Sequence, residues 1–505
     1  MNNKQPIIYA ILISIGIYIG NINNKQKDSI DNKINNILQI TKEHYVDTLN
    51  YAEFEEDAIN TILNQLDPHS SYISTKNFKN IKEDMQGAFS GIGVEFNIIE
   101  DTIVVISPIS GGPSEKLGIK SGDRIVMIEK ENVAGVGIKN QDVIDQLRGT
   151  KGSSVNISIK RRNQNNLIPF KIIRDNIPLH SVDAGIMLTN DIGYIKVNRF
   201  AATTYEEMMK KANNLILQGM NKLILDLRNN PGGYLHIANQ ICDEFLEEEN
   251  LIVFTQGRNR NKKEIYATKE GDLEDMNIIA LINEGSASAS EIVAGALQDN
   301  DRGLIIGRRS FGKGLVQEQI NLHDGSVIRL TTQRYYTPSG RSIQKKYTKK
   351  HLKNELEIDT NKINESLRYT TKNGRTVYAE GGINPDIIIN LDTNLNYFEI
   401  NKMIYTGLIN KFCLEKGELL KKENVSKYTQ INMTTIYNDF IQYREELQGD
   451  SDIEIGLNES IYLKTLLLAN ISRHLWDNNI YYKILSSEDE FIQKAISEFE
   501  KQIFF

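Results

Sequence analysis

The 505-residue sequence holds two cysteines, one tryptophan and nine prolines. Cys242 and Cys413 lie far apart and form no C-x-x-C pair, so neither a redox motif nor a zinc site is legible. At most one disulfide could join them, which is no framework. The seven histidines are scattered and none belongs to an H-E-x-x-H motif, so the sequence implies no metal. A basic excess is missing too. Lys and Arg total 59 against 66 Asp and Glu, for a net charge of -7. That excludes the electrostatic footprint of a nucleic-acid-binding protein. There is no internal repeat and no low-complexity tract, and nothing implies a cofactor.

What is there reads as globular. Hydrophobic residues make up 40% and charged residues 25%, and the length predicts about three domains. An apolar run, Ile7 to Gly20, opens the chain, with Ser14 its one polar residue. It is short of the roughly 20 residues of a spanning helix, though Pro6 and Ile22 extend it. No small-x-small cleavage site follows it. We read residues 1–24 as an uncleaved signal anchor that holds the protein at a membrane. The rest of the chain would then lie outside the cytoplasm, on the periplasmic side. The competing readings are a cleaved signal and a buried helix.

Four further segments follow. Residues 25–83 are polar and helical, with Ile30, Ile34, Ile37 and Leu38 at helical spacing, and Leu66-Asp67-Pro68-His69-Ser70 ends the pattern. Residues 84–176 read as a small domain of short strands. Val155, Ile157 and Ile159 alternate with polar residues, and a helix is expected near Asp142 to Leu147. Residues 177–392 alternate strand, turn and helix. Leu223–Leu227, Ile278–Ile282 and Leu304–Ile306 are the buried strands, which implies crossover units and a largely parallel sheet. Residues 393–505 form an appended helical extension whose stripe, Leu463, Leu466, Leu467 and Ile471, reads as core. The helical ends also offer surfaces for a homodimer.

Chemistry concentrates where strands hand over to helices. Gly285-Ser286-Ala287-Ser288-Ala289-Ser290-Glu291 follows one buried strand. A serine there is either a helix N-cap or a nucleophile beside unpaired N–H groups that can stabilise an oxyanion. Spacing alone does not choose among the three serines. A base is available in Ser310-Phe311-Gly312-Lys313-Gly314 after the third strand. A lysine acts as a base only if its surroundings lower its pKa by about three units. Gln317, four residues on, is a candidate to orient the amine. Gly307 to Lys313 also fits the first seven positions of a phosphate-binding loop, but Gly314 stands where a Ser or Thr must hold magnesium. Pro231-Gly232-Gly233 is a second strand-to-helix turn with N–H groups to offer. Gly91-Ile92-Gly93-Val94 fits a loop that cradles a peptide carboxylate while the peptide pairs with a sheet edge. His236 is the one histidine placed for a Ser-His-Asp alternative.

Together these segments, with Asp226 to Gly233, Tyr336-Thr337-Pro338-Ser339-Gly340-Arg341-Ser342-Ile343 and Gly382-Ile383-Asn384-Pro385-Asp386, resemble the carboxyl-terminal processing peptidases of serine peptidase family S41. The resemblance covers about residues 30 to 392. It implies an α/β core similar to the crotonase and caseinolytic-protease fold, with an inserted PDZ domain and helical N- and C-terminal extensions. It implies Ser288 as nucleophile, Lys313 as general base and Gln317 as its orienter. Ala289 and the Gly232-Gly233 turn would form the oxyanion hole. In the PDZ-like segment, Leu117 to Ile125 carry the likeness and Gly91, Ile92, Gly93 and Val94 match the carboxylate loop. Arg148 matches an arginine that links the PDZ domain to activation, and Ser114 replaces the usual alanine of a Pro-Ala pair. The implied partners are protein substrates with apolar C-termini. The alternative is a catalytically silent PDZ scaffold at the membrane.

Overall fold

The computed structural model describes Ser14 and residues 31–501, apart from 110, 163, 165, 269–270, 347–366, 380, 391–396 and 449–454. All of the expected anchor but Ser14 falls outside the described residues. Among those residues no helix is long and apolar enough to cross a membrane. The chain divides into two compact units. One joins the residues up to Thr75 with Gln317–Thr331, and the other holds Lys76–Val316 and Thr332 onward.

In the first unit, helices α1 (Asp31–His44) and α2 (Tyr51–Asn64) occupy the stretch whose spacing predicts helix. The Asp67-Pro68 step ends this run. The Asp67 carboxylate accepts from the N–H groups of His69 (2.8 Å) and Ser70 (2.9 Å), the local bond by which Asp builds turns. Strand β1 (Ser71–Ile73) then pairs antiparallel with the start of the strand Val327–Tyr336, Ser71 opposite Arg329 and Ile73 opposite Val327.

The second unit contains helix α3 (Thr75–Gln86) and the small β-domain expected from the alternating segments. Its strands are β2 (Ala88–Gly91), β3 (Val94–Ile99), β4 (Thr102–Pro108), β5 (Arg124–Ile128), β6 (Ser154–Lys160), β7 (Ile168–Ile173) and β8 (Asp175–Pro178). β3, β4, β5, β6 and β7 form an antiparallel sheet in that order, with β3 at an edge. Val155, Ile157 and Ile159 point into its core as their alternation requires, with Val143 and Leu147 of helix α4 (Asn140–Leu147). β2 and β8 pair with each other, Ala88 opposite Pro178. The chain therefore arrives and leaves side by side, which lets the domain be inserted without disturbing the fold around it.

The central sheet follows. Its strands are β9 (Val182–Met187), β10 (Ile192–Val197), β11 (Lys222–Asp226), β12 (Asn277–Ile282), β13 (Leu304–Gly307) and β14 (Ile387–Ile388), in that order across the sheet. All pairs are parallel except β9 with β10. Helices α5 (Thr204–Ile216), α6 (Leu235–Asp243) and α7 (Ala289–Asp299) cover one face, burying Met208, Ala238, Ile241, Val293 and Leu297 against Leu223, Leu225, Ala280 and Ile305.

A parallel sheet needs both faces covered, and the second cover comes from the far end of the chain. Helices α8 (Leu408–Lys422), α9 (Met433–Gln448) and α10 (Leu457–Leu475) make their own core, in which Leu463, Leu466, Leu467 and Ile471 pack with Phe412 and Phe440. After α11 (Asn478–Ser486) comes α12 (Glu490–Glu500). Phe491, Ile492, Ala495 and Phe499 of α12 bury Ile224, Ile279, Leu281 and Ile306. The extension is thus only partly appended, because its last helix belongs to the core. Cys242 and Cys413 are both buried thiols and form no disulfide.

Asp489 caps α12 and pairs with Arg228 (3.0 Å), while the Phe491 ring lies under the guanidinium groups of Arg228 (4.7 Å) and Arg308 (5.0 Å). Phe491→Ala empties a buried site and removes both cation–π contacts. It is expected to lower unfolding free energy by about 3 kcal/mol, read as a lower urea midpoint. An unchanged midpoint would mean that α12 is not part of the folding core.

Candidate active site

β11, β12 and β13 run parallel, so their carboxyl ends share one edge, with Asp226 beside Leu281 and Ile282 beside Gly307. This is the edge at which open α/β sheets bind ligands. Three loops leave it, and each carries residues singled out by the sequence. Asp226 anchors the first loop from a fully buried position. It pairs with Lys196 (3.3 Å) and Arg228 (2.6 Å) and accepts from the Tyr194 hydroxyl (2.8 Å). Burial opposes its ionisation, but Arg228 and Lys196 hold its carboxyl well below the usual range.

The first two loops are stitched together by buried polar groups. Ser286 Oγ donates to Leu227 O (2.8 Å) and Ser290 Oγ to Asn230 O (2.9 Å). The Ala287 N–H also donates to Asn230 O (2.9 Å). Asn283 pairs side chain to side chain with Asn229 (2.9 Å) and accepts the Asn229 N–H (2.8 Å). Ser286 and Ser290 are fully buried and spend their hydroxyls on this stitching. Ser288 between them is half-buried and has φ 56° and ψ -112°. Such a backbone is strained for a residue with a Cβ and persists only where its surroundings impose it.

Gly232 packs directly against this serine. A Cβ at Gly232 would lie 2.9 Å from Ser288 Cβ and 2.7 Å from Ala287 O, so no larger residue fits. The expected pair of donors resolves into one. The Gly232 N–H is taken by Asn230 Oδ1 (2.9 Å), which corrects its candidacy for the oxyanion hole. Gly233 sits in a parallel bridge with Phe200, where Phe200 N–H donates to Gly232 O and Tyr234 N–H to Phe200 O. In that pattern the middle residue's own N–H points away from the partner strand. Ala289 opens α7, and its N–H has no intrahelical acceptor.

The third loop carries Lys313, half-buried. Two buried side chains tie its backbone to that of Ser288, and sequence reasoning gave neither a role. Glu291 is fully buried. Its Oε2 accepts from the N–H groups of Ser288 (2.8 Å) and Lys313 (2.9 Å). Its Oε1 accepts from Gly312 N–H (2.7 Å) and Ser310 Oγ (2.5 Å). Burial pushes its carboxyl up, and the four donors offset part of that rise. Opposite it, the Tyr335 hydroxyl lies 2.6 Å from Lys313 O and 3.1 Å from Ser288 O. Burial raises the Tyr335 phenol well above its ordinary pKa, so it stays a donor. The Ser-x-x-Glu spacing of Ser288 and Glu291 was a legible signal for the capping half of this arrangement. The bonds to the lysine loop had no signal.

Other expected residues are placed as follows. Gln317 lies on the strand Leu315–Asn321 and donates to Thr331 Oγ1 (3.4 Å). Lys313 precedes that strand, so the four-residue spacing does not by itself put the two side chains on one face. In the Gly91–Val94 loop, Gly93 has φ +74°, and the Ile92 carbonyl accepts from Ser114 N–H (3.1 Å) and Ser114 Oγ (2.6 Å). The unusual serine thus braces the loop. No strand pairs with the outer edge of β3 among the described residues. The Arg148 side chain passes beside Gly91, where an added Cβ would lie 3.7 Å from Arg148 Cγ. It ion-pairs with Glu83 of α3 (3.6 Å) and lies over the Phe89 ring of β2 (4.1 Å), where the small domain joins the chain. The His236 ring packs on Tyr234 (5.1 Å). No group of three or more metal-ligating side chains occurs among the described residues.

In Glu291→Gln, one end of the side chain becomes an NH₂ that must face N–H donors. The expected result is a loss of at least about tenfold in kcat with the fold retained, as for a displaced Ser288 loop. Steady-state proteolysis with a melting curve checks this, and wild-type kcat would sink the clamp.

Comparison with known proteins gives the family. Residues 191–354 match Peptidase family S41, and residues 90–172 match the PDZ domain. The chain is 39% identical over 317 residues to the carboxy-terminal-processing protease of Bartonella bacilliformis, covering 62% of this chain and 72% of that protein. It is 34% identical over 325 residues to the carboxy-terminal processing protease CtpB of Bacillus subtilis, covering 64% and 67%. Among solved structures, the photosystem II D1 C-terminal processing protease matches 70% of this chain and 86% of its own at 25% identity and a TM-score of 0.36. With the domains matched and the relatives covered over most of their length, the chain belongs to peptidase family S41, as a serine-type carboxy-terminal-processing protease with a PDZ domain.

Proposed function

We propose that the chain is an endopeptidase that works through a Ser288–Lys313 dyad, with Gln317 orienting the lysine. The observation that carries this reading is the double bridge by which Glu291 and Tyr335 tie the backbones of Ser288 and Lys313 together. Of the three serines in the loop, Ser288 is the one not fully buried. Its Oγ attacks the scissile carbonyl carbon as its proton passes to the neutral Lys313 amine. The resulting oxyanion is held by the N–H groups of Ala289 and Gly233. Collapse expels the amine product, which takes the proton from Lys313, and leaves an acyl-enzyme. Water, activated by the same lysine, then releases the acid.

Substrate capture is assigned to the PDZ domain. An unstructured, apolar C-terminus adds as a strand to the β3 edge, with its carboxylate at Gly91–Val94. The Arg148 contacts with Glu83 and Phe89 support a role for that arginine in holding the domain beside the carboxylate loop. Residues 1–24 would anchor the enzyme with this machinery on the extracytoplasmic side.

The test is cleavage of an unfolded model protein with an apolar C-terminus by the full-length chain, wild type beside Ser288→Ala. Cleavage by the wild type alone is expected. Cleavage by neither would favour the silent scaffold, and equal cleavage by both would remove Ser288. Lys313→Arg is expected to be inactive, because a guanidinium stays charged and cannot take the proton. An active arginine variant would refute the dyad.

A further inference from the structure

The Asp67–Ser70 segment is left without a task by this mechanism, yet it is bonded to the residue that touches Gln317. Asp67 Oδ1 accepts from the N–H groups of His69 (2.8 Å) and Ser70 (2.9 Å) and from Thr331 Oγ1 (3.2 Å). Asp67 Oδ2 accepts from Ser70 Oγ (2.8 Å), which in turn accepts the Thr331 N–H (3.1 Å). Both the backbone and the side chain of Thr331 are therefore held by this turn. The Thr331 hydroxyl oxygen receives the Gln317 amide nitrogen at 3.4 Å.

The direction of these bonds matters more than their strength. Burial works against ionisation of Asp67, but bonds from Ser70, His69 and Thr331 outweigh it and hold the carboxyl below its ordinary range. An ionised carboxylate only accepts. The single hydroxyl proton of Thr331 must then go to Asp67, and Thr331 can only accept from its other neighbour. The Gln317 amide must present its NH₂ to Thr331, which leaves Oε1 as its other end. An amine that donates N–H needs that oxygen. A reversed amide would set acceptor against acceptor at Thr331 and donor against donor at the amine.

We propose that Asp67 and Thr331 are positioning residues that fix which end of the Gln317 amide serves the dyad lysine. This deepens the proposed mechanism and rests on its assignment of Gln317. The chain of direction runs from carboxylate to hydroxyl to amide.

The test uses the full-length chain with the same unfolded substrate. Thr331→Val keeps the β-branched shape a strand favours and deletes only the hydroxyl. It is expected to lower kcat about tenfold with KM unchanged and to move the ascending limb of the pH profile, where the lysine loses its proton. Thr331→Ser, which restores the hydroxyl, should return kcat to within about twofold of wild type. In a Gln317→Ala background, Thr331→Val should cost nothing further. Wild-type kcat in Thr331→Val would overturn the proposal. So would an equal loss in the Gln317→Ala background, since that marks a purely structural role. Full activity of Gln317→Ala would remove Gln317 from the mechanism and this proposal with it, while Ser288 and Lys313 would still stand on their own variants.

Discussion

The site depends on one buried carboxylate. Serine and lysine arrive on loops from different strands, and no local rule holds two such loops together. Glu291 does so by accepting four donors at once, two from the lysine loop's backbone, one from the Ser288 N–H and one from Ser310. A carboxylate suits this task because both oxygens accept and neither donates. Burying it would be unfavourable if any donor were missing. The cost of its desolvation is what makes the arrangement all-or-none: the loops assemble around Glu291 together or leave a buried charge unsatisfied. Tyr335 closes the opposite side of the same gap through two carbonyls.

Beneath this clamp lies a second polar knot, Asp226 with Lys196, Arg228 and Tyr194. It fixes the end of β11 from which the Gly232-Gly233 turn departs. Arg228 carries the constraint further, because its other face is held by Asp489 and Phe491 of α12. Arg308, at the start of the lysine loop, rests on the same phenylalanine. The C-terminal helix therefore supports the flanks of two candidate-site loops as well as the sheet below them. Its position follows from a general need, since parallel strands are apolar on both faces and water must be kept from each.

The small β-domain is attached by a two-stranded neck, β2 with β8, and by few side chains, Arg148 among them. The outer face of its β3–β4 hairpin also meets the C-terminal helices, with Val104 and Ile106 against Leu414 and Glu100 paired with Lys411. A module with its own core needs little shared core with the fold that carries it, and that economy is why it could be recognised from its own strands alone.

The sequence by itself determined which residues are strands and helices in the core. Alternation at Val155, Ile157 and Ile159 and the runs at Leu223–Leu227 and Ile278–Ile282 report burial on one face or two, and burial is written locally. It also determined the loops worth testing, because serine, lysine and paired glycines at strand ends have few other uses together. By spacing alone it did not choose among Ser286, Ser288 and Ser290, and only the family resemblance singled out Ser288; the three differ in burial and in the partners of their hydroxyls. It did not separate Gly232 from Gly233, which differ in the direction of one N–H. It gave Glu291, Tyr335, Thr331 and Phe491 no role, since each acts through a residue distant in the chain. Those choices belong to the tertiary structure, because a hydrogen bond has a direction and a partner, and only folding brings the partner near.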